Sequence, residues 1–314
     1  MKFSLNELYR SLNISKQNVH QYLDRQQRIH SEEKNLLLVV HQLREDHPTM
    51  GCRDMYFKIK PSCFGRDAFE RFCKAEHLIV DRPKNYQRTT DSSGVIRFDN
   101  LMINTEINRP NQVWQSDITY FEVGDRFYYI TFIIDAYTRR IVGHSTAKRL
   151  YTEDTTLTAL KMALKTRGGQ EFNGLVFHSD GGGQYYAKDF LRLTKDLGIK
   201  NSMCEYPWEN GKAERINGVI KNNYLKHRKI NNYDELVKEV DRSVSLYNYE
   251  KPHIKLQRKS PIQFEKEYIC NGQNADGEIS TEEYNSALKG KTTLHAGVLD
   301  KMPQIQKSQK NITK

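Results

Sequence analysis

No apolar run in the 314 residues approaches the roughly 18 that a membrane-spanning helix requires, and the opening MKFSLNELYR lacks the apolar stretch of a signal peptide. These absences lead us to expect a soluble, cytoplasmic protein with no membrane partner. Cysteine is scarce and unpaired. Cys52, Cys63, Cys73, Cys204 and Cys270 are odd in number and none forms a C-x-x-C pair, which argues against a disulfide framework and for free thiols in a reducing compartment. His41, His47 and His77 lie among three of those cysteines, but the spacings do not fit a zinc site. Acidic residues are also in deficit, 39 against 49 Lys and Arg, a net charge of +10. That balance favours a polyanionic partner, nucleic acid or an acidic membrane surface, between which charge alone does not choose. With 37% apolar residues, the chain can bury one sizeable core and a small accessory unit.

The first hundred residues read as short helices. Ser4-Leu5-Asn6-Glu7 has the form of a capping box, so a helix is expected to start there with Leu5, Leu8 and Leu12 on one face. A second helix restarts at Ser15 with Val19, Tyr22 and Leu23 at helical spacing. Helix, tight turn, helix is a helix-turn-helix pattern that would offer Lys16, Gln17, Asn18 and Gln21 to a major groove; an ordinary helical hairpin is the alternative. A longer helix is expected over 32–45, then two more around 54–59 and 66–76, a second candidate helix-turn-helix whose outer face carries Arg66, Arg71 and Lys74. A solvated basic face explains those charges equally well. The organisation expected is a helical helix-turn-helix region over 1–80, a linker over 81–111, a larger folded core over 112–268 and a polar tail over 269–314.

From Val113 the character changes. The runs 113–123, 126–135 and 140–146 are β-rich and separated by short turns, so three hairpin-connected strands are expected. A helix over 153–166, a buried strand 175–178 ending at Asp180, a helix over 186–197, a strand near Ile199 and a long helix from about 209 to 229 complete the block. A further helix is expected over 233–249 and an extended basic segment over 252–261. The fold class read from this order is α/β, a ribonuclease-H-like mixed sheet with flanking helices, preceded by a small all-α helix-turn-helix region.

Three carboxylates stand out. Asp117 sits mid-strand in Trp114-Gln115-Ser116-Asp117-Ile118-Thr119-Tyr120, where a charge needs either a cation partner or a metal. Asp180 ends a strand and precedes Gly181-Gly182-Gly183, which is either a plain turn or a close approach of backbone to a ligand. Glu214 follows with 33 residues between it and Asp180, on the predicted helix after Pro207. Convergent carboxylates are what a hard divalent ion needs, and two such ions about 3.5–4 Å apart can drive phosphoryl transfer. Asn210, Asn217 and Lys221 share the helical face of Glu214 and are candidate DNA contacts, as are the neighbouring Lys212 and Arg215. Asp135, at a strand end before a turn, reads as a cap. Glu209, five residues before Glu214, cannot share its face.

The motifs at 114–120, at 134–144 (Ile134-Asp135 through Gly143-His144), at 178–185 (His178-Ser179-Asp180 through Gln184-Tyr185), from Glu209-Asn210 to Glu214, and from Tyr247-Asn248 to Lys251-Pro252-His253 resemble the OrfB-type DDE transposases of insertion-sequence family three. The likeness covers roughly 40–268, with His47-Pro48 and Gly51 matching the family's helix-turn-helix region. It implies an integrase-like core with Asp117, Asp180 and Glu214 as catalytic and metal-binding triad, two Mg2+ ions with Mn2+ as substitute, and cleavage and strand transfer of double-stranded DNA at terminal inverted repeats and target. The resemblance further implies a circular intermediate, as for many of the family. It also implies a homo-oligomer, at least a dimer on DNA, an upstream-frame partner protein, and a place on the bacterial nucleoid. The spacing from Asp180 to Glu214 is shorter than the family's usual one, which points to a shortened loop around 205–208. Two other readings stay open: a non-catalytic DNA-binding remnant or repressor, and a structure-selective nuclease.

Overall fold

The computed structural model describes residues 4–62, 64–80, 98–168 and 172–276. The chain divides into one compact unit, residues 1–265, and a second, 266–314, of which only the latter part of the helix α9 (Pro261–Asp276) is described. The N-terminal unit opens with α1 (Leu5–Ser11), capped by the expected Ser4–Glu7 box, and α2 (Lys16–Asp46). Here the structure departs from the sequence reading. The helices expected near 15–23 and over 32–45 are one helix of 31 residues, because no Pro or Gly interrupts 16–46.

The first helix-turn-helix is also corrected in its packing. Leu5, Leu8, Leu12, Tyr22 and Leu23 are all exposed, and α2 buries only Leu36 and Val40. The compact helical core lies further on, where α2 meets α3 (Cys52–Ile59) and α4 (Arg66–Ala75) over Leu36, Val40, Met50, Met55, Phe69 and Cys73. This three-helix unit is bonded directly to the rest of the chain: His47 reaches the Tyr224 hydroxyl at 3.2 Å and Glu250 at 3.3 Å, and Lys58 pairs with Glu250 at 2.8 Å.

Five strands follow. β1 (Val113–Val123) and β2 (Arg126–Asp135) pair antiparallel across the Gly124-Asp125 turn, where Gly124 takes φ +61°. β3 (Ile141–Ala147) continues the meander. β4 (Val176–Ser179) and β5 (Lys200–Met203) add on the other side of β1, both parallel, to give the order β3-β2-β1-β4-β5. α5 (Thr156–Thr166) and α6 (Lys188–Asp196) cover one face, over Trp114, Ile133, Leu160, Phe177 and Phe190. α7 (Gly211–Asn223) and α8 (Tyr233–Tyr249) cover the other, over Ile130, Phe132, Ile216, Ile220 and Val240. A mixed sheet with helices on both faces in this order is the ribonuclease-H-like fold.

Two smaller expectations are revised. The part of the expected linker that is described, 98–111, is held to the sheet edge: Leu101 N–H donates to Ser202 Oγ at 2.9 Å, and Phe98 stacks on Tyr186. Residues 81–97, the remainder of that linker, lie outside the described residues, as do 277–314 of the expected tail. The segment 252–261 is not extended but turns through a 3-10 turn at Ile254–Leu256. No described helix is long and apolar enough to cross a membrane.

Gly143 marks the closest approach of β3 to α5. A Cβ there would collide with the Ala159 carbonyl oxygen and lie 2.9 Å from the Ala163 Cβ. Because the obstacle is helix backbone, Gly143→Ala is expected to destabilise the fold by about 3 kcal/mol or more, read as a fall in the urea unfolding midpoint. Gly174→Ala, at an open loop with φ +83°, is expected to cost only about 1 kcal/mol.

Candidate active site

The parallel register of β1 and β4 sets Gln115 beside His178. Two residues further along each chain stand Asp117 and Asp180, so the two carboxylates emerge side by side where β4 ends, with strands about 4.8 Å apart. The backbone beyond Asp180 is bent back by its own side chain, whose Oδ1 accepts from Gly182 N–H at 3.1 Å. The glycines there are needed for space, since none of Gly181, Gly182 and Gly183 takes a positive φ. A Cβ on Gly181 would meet Met203 Cε at 2.7 Å, and one on Gly182 would press on Asp180 Oδ1 at 3.1 Å.

The third carboxylate comes from α7. The loop before it is short: a 3-10 turn, Pro207–Asn210, closed by Glu209 Oε2, which accepts from the N–H groups of Glu205 (2.7 Å) and Tyr206 (2.9 Å). Glu209 is therefore spent on the turn. From there α7 is fastened along β1 by three side chains: Asn210 Nδ2 donates to the Ser116 carbonyl (2.8 Å), Asn217 Nδ2 to Asp117 Oδ2 (2.8 Å) and Lys221 Nζ to Thr119 Oγ1 (3.1 Å). Glu214 occupies the same stripe, between Asn210 and Asn217, and is exposed.

This geometry corrects the sequence reading of that stripe. Asn210 and Asn217 are 2% and 7% exposed, so their amides serve the strand and the Asp117 carboxylate and do not face DNA. Lys221 is half-buried, with Nζ also 5.0 Å from the Tyr120 ring centroid. Lys212 and Arg215 line a separate cleft beside α7 that none of the three carboxylates borders. Lys16, Gln17 and Asn18 at the start of α2, and Arg66 and Arg71 on α4, are exposed; Arg66 pairs with Asp67 at 2.8 Å. No described element brings these five residues to the carboxylates.

Burial, then the charges of Asp180 and Glu214, push the Asp117 carboxyl up to about 7 against the ordinary 3.8, with Ile118 N–H and Asn217 opposing. Burial raises Asp180 as well. Among the described residues neither aspartate nor Glu214 has a cation partner, in a chain with ten surplus positive charges. Asp135 is the contrast. It caps the next turn, with Oδ1 accepting from Tyr137 N–H (3.0 Å) and Thr138 N–H (2.9 Å), and it is paired with Arg167, which also binds Glu265. Missed by the sequence reading was the exposed Tyr206–Trp208 stack, 4.6 Å between centroids, in the loop before α7.

The Integrase core domain family matches residues 107–206, and a second integrase core model matches 196–261. An insertion element IS600 protein of 31 kDa from Shigella sonnei is 32% identical over 65% of this chain and 76% of its own length. The chain belongs to the insertion-element transposases with an integrase core. The transposase of IS629, also from Shigella sonnei, is 30% identical over 63% of this chain and 66% of its own length, and that of IS904 from Lactococcus lactis is 28% identical over 50% and 62%. The HTLV-2 integrase catalytic core, solved with magnesium, is 21% identical, covering 50% of this chain and 97% of that one at a TM-score of 0.40. As a member of this family the transposase is a polynucleotidyl transferase.

Raising the Asp117 carboxyl in the folded state has a measurable consequence. Between about pH 4 and 7 the native protein holds a proton that the unfolded chain has released, so this group's contribution to stability is present at low pH and lost as pH rises through 7. In chelator, wild type is expected to lose more stability from pH 5 to pH 8 than Asp117→Asn, and the variant to be the more stable at pH 8. Equal pH dependence in calorimetry would mean that Asp117 is not charge-strained.

Proposed function

We propose that this transposase cuts and rejoins DNA at the ends of its element with Asp117, Asp180 and Glu214 as the catalytic triad, holding two Mg2+ ions that Mn2+ can replace. The observation that carries the reading is the set of three carboxylates that make no ion pair among the described residues of a basic protein. Hard oxygen donors at a strand end suit magnesium, and the repulsion that lifts Asp117 is what a divalent cation would relieve. Among the described residues no three His, Cys, Asp or Glu side chains form a closed metal cluster; Asp117 and Asp180 from the sheet and Glu214 from α7 would together supply the oxygen donors. When bound, the metal pair would activate the attacking oxygen and stabilise the leaving one.

The chain's own residues then have distinct tasks. Asn217 donates to Asp117 Oδ2 and Gly182 N–H to Asp180 Oδ1, which orients both carboxylates. Lys221, beside Asp117 on the same stripe, is the cation nearest the triad on α7 and is assigned to a phosphate of the bound strand. Arg66 and Arg71 on α4, Lys16, Gln17 and Asn18 on α2, and Lys212 and Arg215 on α7 are assigned to DNA outside the reacting centre. Terminal repeats and target duplex are the substrates. Pairing two ends calls for at least a dimer, with an upstream-frame protein as a further partner. The match covers 66% of the length of the IS629 transposase and 62% of that of IS904.

With oligonucleotides carrying the element's ends, wild type is expected to give joined products in Mg2+ or Mn2+ and none in chelator. Asp117→Asn, Asp180→Asn and Glu214→Gln should each lose about a hundredfold or more while still binding the oligonucleotide. Full joining by any of the three would remove that residue from the triad. Binding by wild type without metal-dependent cleavage would favour a repressor, and cleavage indifferent to the end sequence a nuclease.

A further inference from the structure

The side of α7 turned away from the triad borders a cleft that none of the reactions above uses. Arg139 lines it from the turn after β2, Lys212 and Arg215 from α7, and Tyr247, Lys251 and His253 from the end of α8 and the loop beyond. Four cationic side chains thus face one space. Among the described residues none of the four has an ion pair: Asp135 and Asp54, the carboxylates whose charge reaches Lys212 and Lys251, are committed to Arg167 and Arg258.

Gathering like charges there has costs that the fold does not need. Arg139 takes φ +61°, a left-handed conformation that a residue with a Cβ adopts reluctantly. Lys251 and Lys212 are pushed below the usual lysine value by burial, and then by Arg215 and by Arg139 respectively. His253 packs edge-on to Tyr247, is held neutral by burial and by Lys251, Arg139 and Arg215, and keeps a buried Nε2 with no hydrogen-bond partner among the described residues. A buried ring nitrogen among convergent cations is a cradle for an oxyanion.

We propose that this cleft binds a backbone phosphate of DNA, gripped by Arg139, Arg215 and Lys251 with Lys212 and His253 completing the cradle. This rests on reading the chain as a DNA-processing enzyme, and adds to it a non-catalytic contact on the far side of the catalytic helix. With a helix diameter of about 10 Å between the two faces, the cleft takes a phosphate about three base-pair rises from the one at the carboxylates.

The test is fluorescence anisotropy of the full chain with a labelled duplex bearing the element's end, across a salt series. Arg139→Gln/Lys251→Gln is expected to weaken binding and to reduce the slope of log K against log salt by about 0.9, the share of one neutralised phosphate. Lys195→Gln, on α6 across the sheet, leaves both unchanged. Because Lys251 is largely enclosed, Arg215→Gln, an exposed site, carries the same test should the double variant fail to fold, with a smaller reduction in slope. Thermal melts with inorganic pyrophosphate form the second arm: wild type is raised and the variants are not. Protection by pyrophosphate with an unchanged DNA slope would assign the cleft to free phosphate and overturn the DNA assignment, and no effect in either arm would overturn the site. Wild type that binds no duplex at all would instead overturn the DNA-processing reading on which the proposal rests.

Discussion

The docking of α7 on β1 through Asn210, Asn217 and Lys221 is the constraint on which the site depends. A buried amide bond contributes only about 1 kcal/mol net, but an amide buried without its partner costs about 1–3 kcal/mol. The three bonds therefore do little for total stability and much for register, because sliding α7 by one turn would take the buried Asn210 and Asn217 amides away from their acceptors. Glu214 inherits its position over Asp117 from that register. Apolar contacts of Ile216 and Ile220 hold the helix on the sheet, while the amides decide where along the strand it stops.

Charge placement separates structure from chemistry in this chain. Where a carboxylate is buried for structural reasons, a cation comes with it: Asp135 and Glu265 share Arg167, and Arg140 adds a second bond to Glu265. Among the described residues Asp117 and Asp180, close to each other at the strand end, receive N–H groups of amides and no ion pair. The same discrimination runs the other way on the far side of α7, where cations gather without carboxylates. One helix thus divides a space of uncompensated negative charge from one of uncompensated positive charge.

Much of this was legible in the sequence because it rests on local rules. β-Branched and aromatic runs broken by Gly124-Asp125 gave β1 and β2 their observed limits, and the helical period gave α8 its observed ends at 233 and 249. The carboxylates were legible as charges in places that disfavour charge. What failed needed knowledge of partners distant in sequence. Periodicity put Asn210 and Asn217 on the stripe of Glu214, but only the strand 94 to 100 residues earlier shows their amides turned inward to Ser116 and Asp117. The basic cleft was hidden for the same reason, as Arg139, Lys212 and Lys251 come from three separate segments. The continuous α2 was misjudged because its apolar positions are too few to show where packing begins.

That helix has a further consequence. At 1.5 Å per residue, about 30 Å separates Lys16 from Leu36, where packing first takes hold, and this is nearly one turn of a DNA duplex. The unburied stretch acts as a ruler: adding or removing helical turns within it would move whatever its tip touches in steps of about 5.4 Å, without disturbing a single bond around the carboxylates.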